Sequence, residues 1–243
     1  MDINCFYFGK YAYTFVPWQI EKDIRRIKAM GATSITLNVI EQDYKAAFEN
    51  ISLVISLART LGLKVYALPD GWGNLTGNIS GFPSVQAVKK RKDCLADNEN
   101  NLIMTDKGWL LNPNNKQVFK FFKKKLKEIL EKFDFDGLFW YHPDDRTELV
   151  KLSGLFKLLH GYVIEKYPDK AVFYHPKNNS FFDDINVEQT MTSYILPKTE
   201  QGLSNWTKPD KLNIMLSYFD YPPNIEQPEE FMTLMSACFM QLK

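Results

Sequence analysis

Phe133-Asp-Phe-Asp-Gly-Leu-Phe-Trp-Tyr-His-Pro-Asp-Asp145 contains an apolar run, Gly137 to Tyr141, that is too short for a helix and is flanked by ionisable residues. It reads as a buried strand. Pro143 has no amide proton for a sheet ladder, so pairing should stop near His142, and the strand delivers His142, Asp144 and Asp145 to one carboxyl end. In parallel α/β folds, ligands bind and chemistry is done at that end, where the loops converge over the sheet or barrel mouth.

Working outward, the segment before this strand, Gln117 to Lys132, has the period of an amphipathic helix. Val118, Phe119, Phe122, Leu126, Ile129 and Leu130 form the core-facing set, and Lys120, Lys123, Lys124, Lys125 and Lys127 are its solvated remainder rather than a phosphate site. Further back, βα units repeat. Cys5 to Phe8 is a strand, and Pro17 opens a helix carrying Ile20, Ile24, Ile27 and Met30 that Gly31 closes. Ser34 to Ile40 is a second strand, Tyr44 to Leu61 a helix ending at Gly62, and Lys64 to Leu68 a third strand running into Pro69-Asp-Gly-Trp-Gly-Asn74. From 75 to 116 regularity is lost in a long insert carrying Phe82 and Trp109, which with Trp72 suggest an ordered flap over the mouth.

After the central strand come a helix, Glu148 to Tyr167, and a strand, Ala171 to Tyr174, that again ends in His-Pro at His175-Pro176. Gln189 to Leu196 and Leu212 to Tyr218 are the sixth and seventh strand candidates, and Glu229 to Gln241 is a final helix. The pattern is α/β, a TIM-type (β/α) barrel with right-handed crossovers, formed as one domain over 1–243 with the insert at 75–116. Seven strands are recognisable and the eighth is missing. The chain is then a fragment or truncated product, or its barrel is open between strands seven and one, with an exposed edge there.

The totals narrow the function classes. A net charge of +1, from 30 basic and 29 acidic side chains, creates no field favouring nucleic acid or an anionic membrane. Three scattered cysteines, Cys5, Cys94 and Cys238, fit neither a disulfide framework nor a zinc knuckle. No signal-like amino terminus and no apolar run of membrane-spanning length is present, so the chain as given reads as soluble and cytoplasmic. Aromatics make up 14% of the residues, which is enough to line a sugar-binding cleft as well as a core.

Carboxylates dominate the strand ends: Glu41, Asp70, Asp144, Asp145 and Asp220, beside His142, His175, Tyr141 and Tyr218. No glycine-rich phosphate loop, nucleophile elbow or zincin pair appears, and no cofactor is implied. Paired carboxylates across a cleft are what glycosidic bond cleavage requires, one protonating the leaving oxygen and one acting as nucleophile or activating water. His142 and His175 with Asp144 or Asp145 could instead hold a metal ion, as in a metal-dependent hydrolase.

Four stretches carry a resemblance: Pro69-Asp70-Gly71-Trp72-Gly73, Asn112-Pro113-Asn114-Asn115, Asp136-Gly137-Leu138-Phe139-Trp140 with Pro143, and Ser217-Tyr218-Phe219-Asp220-Tyr221-Pro222. Along most of its length the chain resembles a bacterial family of glycoside-hydrolase-like (β/α)-barrel proteins, itself largely uncharacterised. The resemblance implies a hydrolase acting on a carbohydrate. Where that family continues Phe-Trp-Asp-Glu-Pro-His, this chain has Phe139-Trp140-Tyr141-His142-Pro143-Asp144, so Tyr141 and His142 occupy the acidic positions. Either the acid role has moved to Asp144 or Asp145, with Asp70 or Asp220 as the ionised partner, or hydrolysis is lost and a sugar-binding groove remains. Trp72, Trp109 and Trp140 would supply stacking surface, with Tyr141, His142, His175, Glu41 and Tyr218 as further contacts.

Overall fold

Among the described residues, apolar runs of five to seven residues form parallel strands, and amphipathic stretches form helices that cover one face of the resulting sheet. The structure is a computed structural model, and it describes residues 2–7, 16–29, 31–41, 47–76, 83–141, 153–175 and 213–217. In chain order the elements are β1 (Asp2–Tyr7), α1 (Pro17–Ala29), β2 (Ser34–Ile40), α2 (Phe48–Thr60), β3 (Lys64–Asp70), α3 (Val85–Lys89), β4 (Met104–Thr105), β5 (Gly108–Trp109), α4 (Lys116–Lys132), β6 (Gly137–Tyr141), α5 (Ser153–Lys166), β7 (Ala171–His175) and β8 (Asn213–Ser217).

Six strands form one curled parallel sheet in the order β7-β6-β3-β2-β1-β8. The end of this order differs from the expectation. Instead of an exposed edge beside the first strand, β8 pairs with β1 from Asp2↔Asn213 to Phe6↔Ser217, so β1 has a neighbour on both sides. Between β7 and β8 lie residues 176–212, and the expected strand Gln189 to Leu196 falls outside the described residues, as does the helix Glu229 to Gln241.

Side chains alternate across the strands, and the two faces have different chemistry. Ile35, Leu37 and Val39 of β2, Val65 and Ala67 of β3, and Leu138 and Trp140 of β6 point outward into the main core with the buried faces of α1, α2, α4 and α5. On α4 the buried set is Val118, Phe122, Leu126, Ile129 and Leu130, as the helical period predicts. Fully burying each such side chain contributes about 1.5–3 kcal/mol. Asn115 caps α4, its side-chain oxygen accepting from the Gln117 amide at 2.8 Å.

The inner face is smaller and divided. Tyr66, Leu68, Phe139 and Phe173 form an apolar cluster, with Tyr66 and Phe173 edge to face at 4.7 Å. Towards β1 the same face turns polar: Asn4, Ser34, Thr36, Asn38 and Asp70 are all buried. At the amino end, Gly137 has no room for a side chain, because a Cβ there would lie 2.0 Å from the Ala171 carbonyl oxygen. Beside it the Asp136 carboxylate accepts from the Val65 amide at 2.7 Å and pairs with Arg59.

The segment expected to lack regular structure is partly regular. It contains α3, the short β4–β5 hairpin and a bridge from Cys94 to Leu111, and it buries Ala87, Leu110 and Leu111 in the main core. Among the described residues no helix is long and apolar enough to cross a membrane.

Candidate functional site

The carboxyl ends of β2 and β3 carry two buried carboxylates, and the structure uses them differently. Glu41 follows Ile40 and turns towards the insert. Its Oε2 accepts from the Gly73 amide at 3.1 Å and from the Ser84 hydroxyl at 2.6 Å, while Oε1 accepts from the Gln86 amide. Ser84 also caps α3 by accepting from the Ala87 amide at 3.1 Å. Glu41 therefore clasps the turn after β3 to the start of α3. Its acceptor positions face protein donors, so the structure gives it an anchoring place rather than the ligand contact expected of it.

Asp70 lies one strand over, level with Ile40, on the inner face and 1% exposed. Its Oδ2 accepts from Asn38 Nδ2 at 3.3 Å. Below this pair a second set of polar side chains crosses β1 and β2. Thr36 Oγ1 donates to Asn4 Oδ1 at 2.8 Å, and Asn4 Nδ2 donates to Ser34 Oγ at 2.8 Å. Asn4 thus has a partner for both of its amide atoms. Asn38 has one for Nδ2 alone, since its buried Oδ1 has no hydrogen-bond partner.

The turn after Asp70 explains much of the Pro69-Asp70-Gly71-Trp72-Gly73 stretch. The Gly71 amide donates to the Thr76 carbonyl and the Trp72 amide to the Thr76 hydroxyl, both at 3.0 Å. Gly71 and Gly73 have φ of 71° and 61°, and a Cβ on Gly73 would lie 2.7 Å from Leu111 Cδ1. The Trp72 indole is fully buried: Nε1 donates to the Val39 carbonyl at 2.8 Å, and the ring packs against Phe122 at 5.8 Å and Phe121 at 6.4 Å. The expectation that Trp72 offers a stacking face is therefore corrected, because its ring is part of the outer core.

Trp140 is corrected for the same reason. It points outward from β6, is 1% exposed and packs at 5.1 Å against Phe156 of α5. Trp109 is half-buried, and the Arg91 guanidinium covers its ring at 4.2 Å. Of the remaining expected residues, Tyr141 and His175 are level with each other at the ends of β6 and β7. His142, Asp144, Asp145, Tyr218 and Asp220 lie outside the described residues, so the expected carboxylate pair is represented here by Asp70. Among the described residues, no group of three or more His, Cys, Asp or Glu could hold a metal ion.

Asn38 was not singled out by sequence reasoning, although a signal for it existed. Ser34, Thr36 and Asn38 alternate with Ile35, Leu37 and Val39 within one strand, and buried polar residues at that spacing mark a polar inner face.

No protein-family model and no curated protein matches the chain. Solved structures do. The GH36 α-galactosidase AgaA of Geobacillus stearothermophilus superposes with a TM-score of 0.64 at 9% identity, covering 99% of this chain and 41% of that enzyme. Variants of it are known in complex with stachyose and raffinose. The α-galactosidase of Lactobacillus brevis gives a TM-score of 0.60 at 8% identity, over 99% of this chain and 40% of that one. A maltogenic α-amylase, AmyB of Thermotoga neapolitana, gives 0.56 at 16% identity, over 79% and 49%. The chain thus spans about two fifths of the length of these α-galactosidases, and at such identities the likeness is one of fold: a glycoside-hydrolase-like α/β architecture.

Proposed function

We propose that the chain is a glycosidase-type barrel that hydrolyses a carbohydrate at the carboxyl end of its sheet, with Asp70 as the ionised member of a carboxylate pair and Asp144 as the acid. The observation that carries this reading is Asp70 itself, a carboxylate 1% exposed on the inner face at a strand's carboxyl end. Burying an ionisable group is costly, and buried ionisable groups concentrate where chemistry is done. The likeness in fold to enzymes that bind stachyose and raffinose makes α-galactosides the first substrates to try. The remaining assignments, Asp145 or Asp220 as substitutes within the pair and Trp109, Tyr141, His142, His175 and Tyr218 as sugar contacts, belong to the same proposal.

The test is cleavage and binding of raffinose and chromogenic galactosides by the parent and by Asp144→Asn. Cleavage should fall by at least about a hundredfold, the lower range for general acid catalysis, while binding survives. Unchanged turnover would remove Asp144 from the role.

A second reading, a catalytically silent carbohydrate-binding barrel, is favoured by one feature: Tyr141 and His142 stand where the resembling family has Asp and Glu. Sugar affinity in the parent without turnover of any glycoside would decide for it.

A further inference from the structure

The polar part of the inner face holds two buried asparagines, and their hydrogen bonding differs. Asn4 joins Ser34 to Thr36 through both amide atoms. Asn38, 3% exposed, directs Nδ2 at the Asp70 carboxylate and leaves Oδ1 buried without a donor. Turning the amide over does not help, because it would set Oδ1 against the carboxylate and leave Nδ2 unpartnered instead. A buried acceptor without a partner destabilises a fold, and an apolar side chain of similar volume would not carry that penalty. Leu68, level with Asn38 on β3 and on the same inner face, shows that this face accommodates such side chains.

We propose that Asn38 is a positioning residue whose amide fixes the orientation and charge state of the Asp70 carboxylate. The inference rests on Asp70 being the working carboxylate of the proposed function, and it deepens that reading by assigning the group that holds Asp70 in place. A hydrogen bond donated to a carboxylate favours its ionised form, opposing the effect of burial. It also fixes which oxygen faces β2, so that the other keeps a constant direction. Among the described residues at this end, the neighbouring ionisable groups are Glu41, which is turned to Gly73, Ser84 and Gln86, and Tyr66, which packs against Phe173.

The experiment compares Asn38→Leu with Asn4→Leu and follows the Asp70 side-chain carboxyl by carbon-13 NMR, its resonance assigned by its loss in Asp70→Asn. The expected result is that Asp70 takes up its proton at higher pH in Asn38→Leu, by about one unit or tenfold in proton affinity. In Asn4→Leu the Asp70 titration should stay put while the midpoint falls, because two bonded groups lose their partner. An Asp70 titration unchanged in Asn38→Leu, or an equal shift in both variants, overturns the proposal. Should Asn38→Leu not fold, Asn38→Ser carries the same readout. A separate assay of glycoside turnover distinguishes the two levels: a shifted Asp70 without any turnover retains Asn38 and removes the hydrolase, whereas turnover with an unshifted Asp70 does the reverse.

Discussion

Thr36 and Leu37 are neighbours on β2, yet they belong to two different solvents. Leu37 enters the outer core, where close-packed side chains from the covering helices make volume the quantity that matters. Thr36 enters the inner face, where its hydroxyl donates to Asn4 and hydrogen-bond pairing matters more. One strand therefore separates a region that holds the fold together from one whose polar groups are arranged in fixed directions and end at Asp70. The lesson is that in this sheet stability and chemistry are divided by side-chain parity, since a one-residue shift would exchange the two sets.

The strongest way to break that comparison is from the outer side. Phe122→Ala removes a fully buried ring from α4 and from its contact with Trp72, and should cost about 3–5 kcal/mol in denaturant unfolding. A loss under about 1 kcal/mol would show that the outer layer is not packed as a core. Next, Leu37→Met conserves volume and should cost less than about 1.5 kcal/mol, whereas the near-isosteric Thr36→Val strands the Asn4 carbonyl and should cost about 1–3 kcal/mol. Equal tolerance at both positions would abolish the distinction between the faces.

A third substitution acts locally. Glu41→Ala leaves the Gly73 and Gln86 amides and the Ser84 hydroxyl without their shared acceptor. Amide exchange at Gly73 and Gln86 should then accelerate far more than exchange at Leu37. Uniform acceleration along the chain would mean that Glu41 supports the whole fold rather than the insert.

The smallest effect concerns an exposed turn that belongs to neither face. Backbone hydrogen bonding from Asn101, opposed by desolvation and reinforced by the Asn101 side chain and the Glu99 amide, holds the Asp97 carboxyl below the usual carboxylate range. A depressed folded-state value contributes stability at pH above the unfolded value, and that stability is lost as pH falls through the folded value. The protection of the Asn101 amide, relative to its intrinsic exchange rate at each pH, should fall on acidification below the ordinary carboxylate range while Leu37 stays protected. Asp97→Asn should flatten that response.

Much of this architecture was legible in the sequence because it depends on local signals. Gly137 to Tyr141 was visible as a short apolar run before Pro143, and α4 as apolar residues at helical spacing ending in its aromatic neighbours. The pairing of β8 with β1 was not legible, since it joins residues more than two hundred positions apart and no local pattern encodes register across that distance. Trp72 and Trp140 were read as sugar platforms because composition reveals that a ring is present but not which side of a sheet it occupies. At the site, Asp70 was legible as a carboxylate just past an apolar strand. The hydrogen bonds to Glu41 were not, because its partners come from a segment more than thirty residues away whose turns carry no helical or strand period.

The measurement that bears most directly on the central claim is hydrolysis of a panel of chromogenic glycosides by the parent and by Asp70→Asn, with both proteins shown to unfold at comparable midpoints. The account predicts that the parent cleaves at least one glycoside and that Asp70→Asn, which keeps the shape and loses the charge, reduces its turnover by at least about a hundredfold. Equal turnover by both proteins would contradict it.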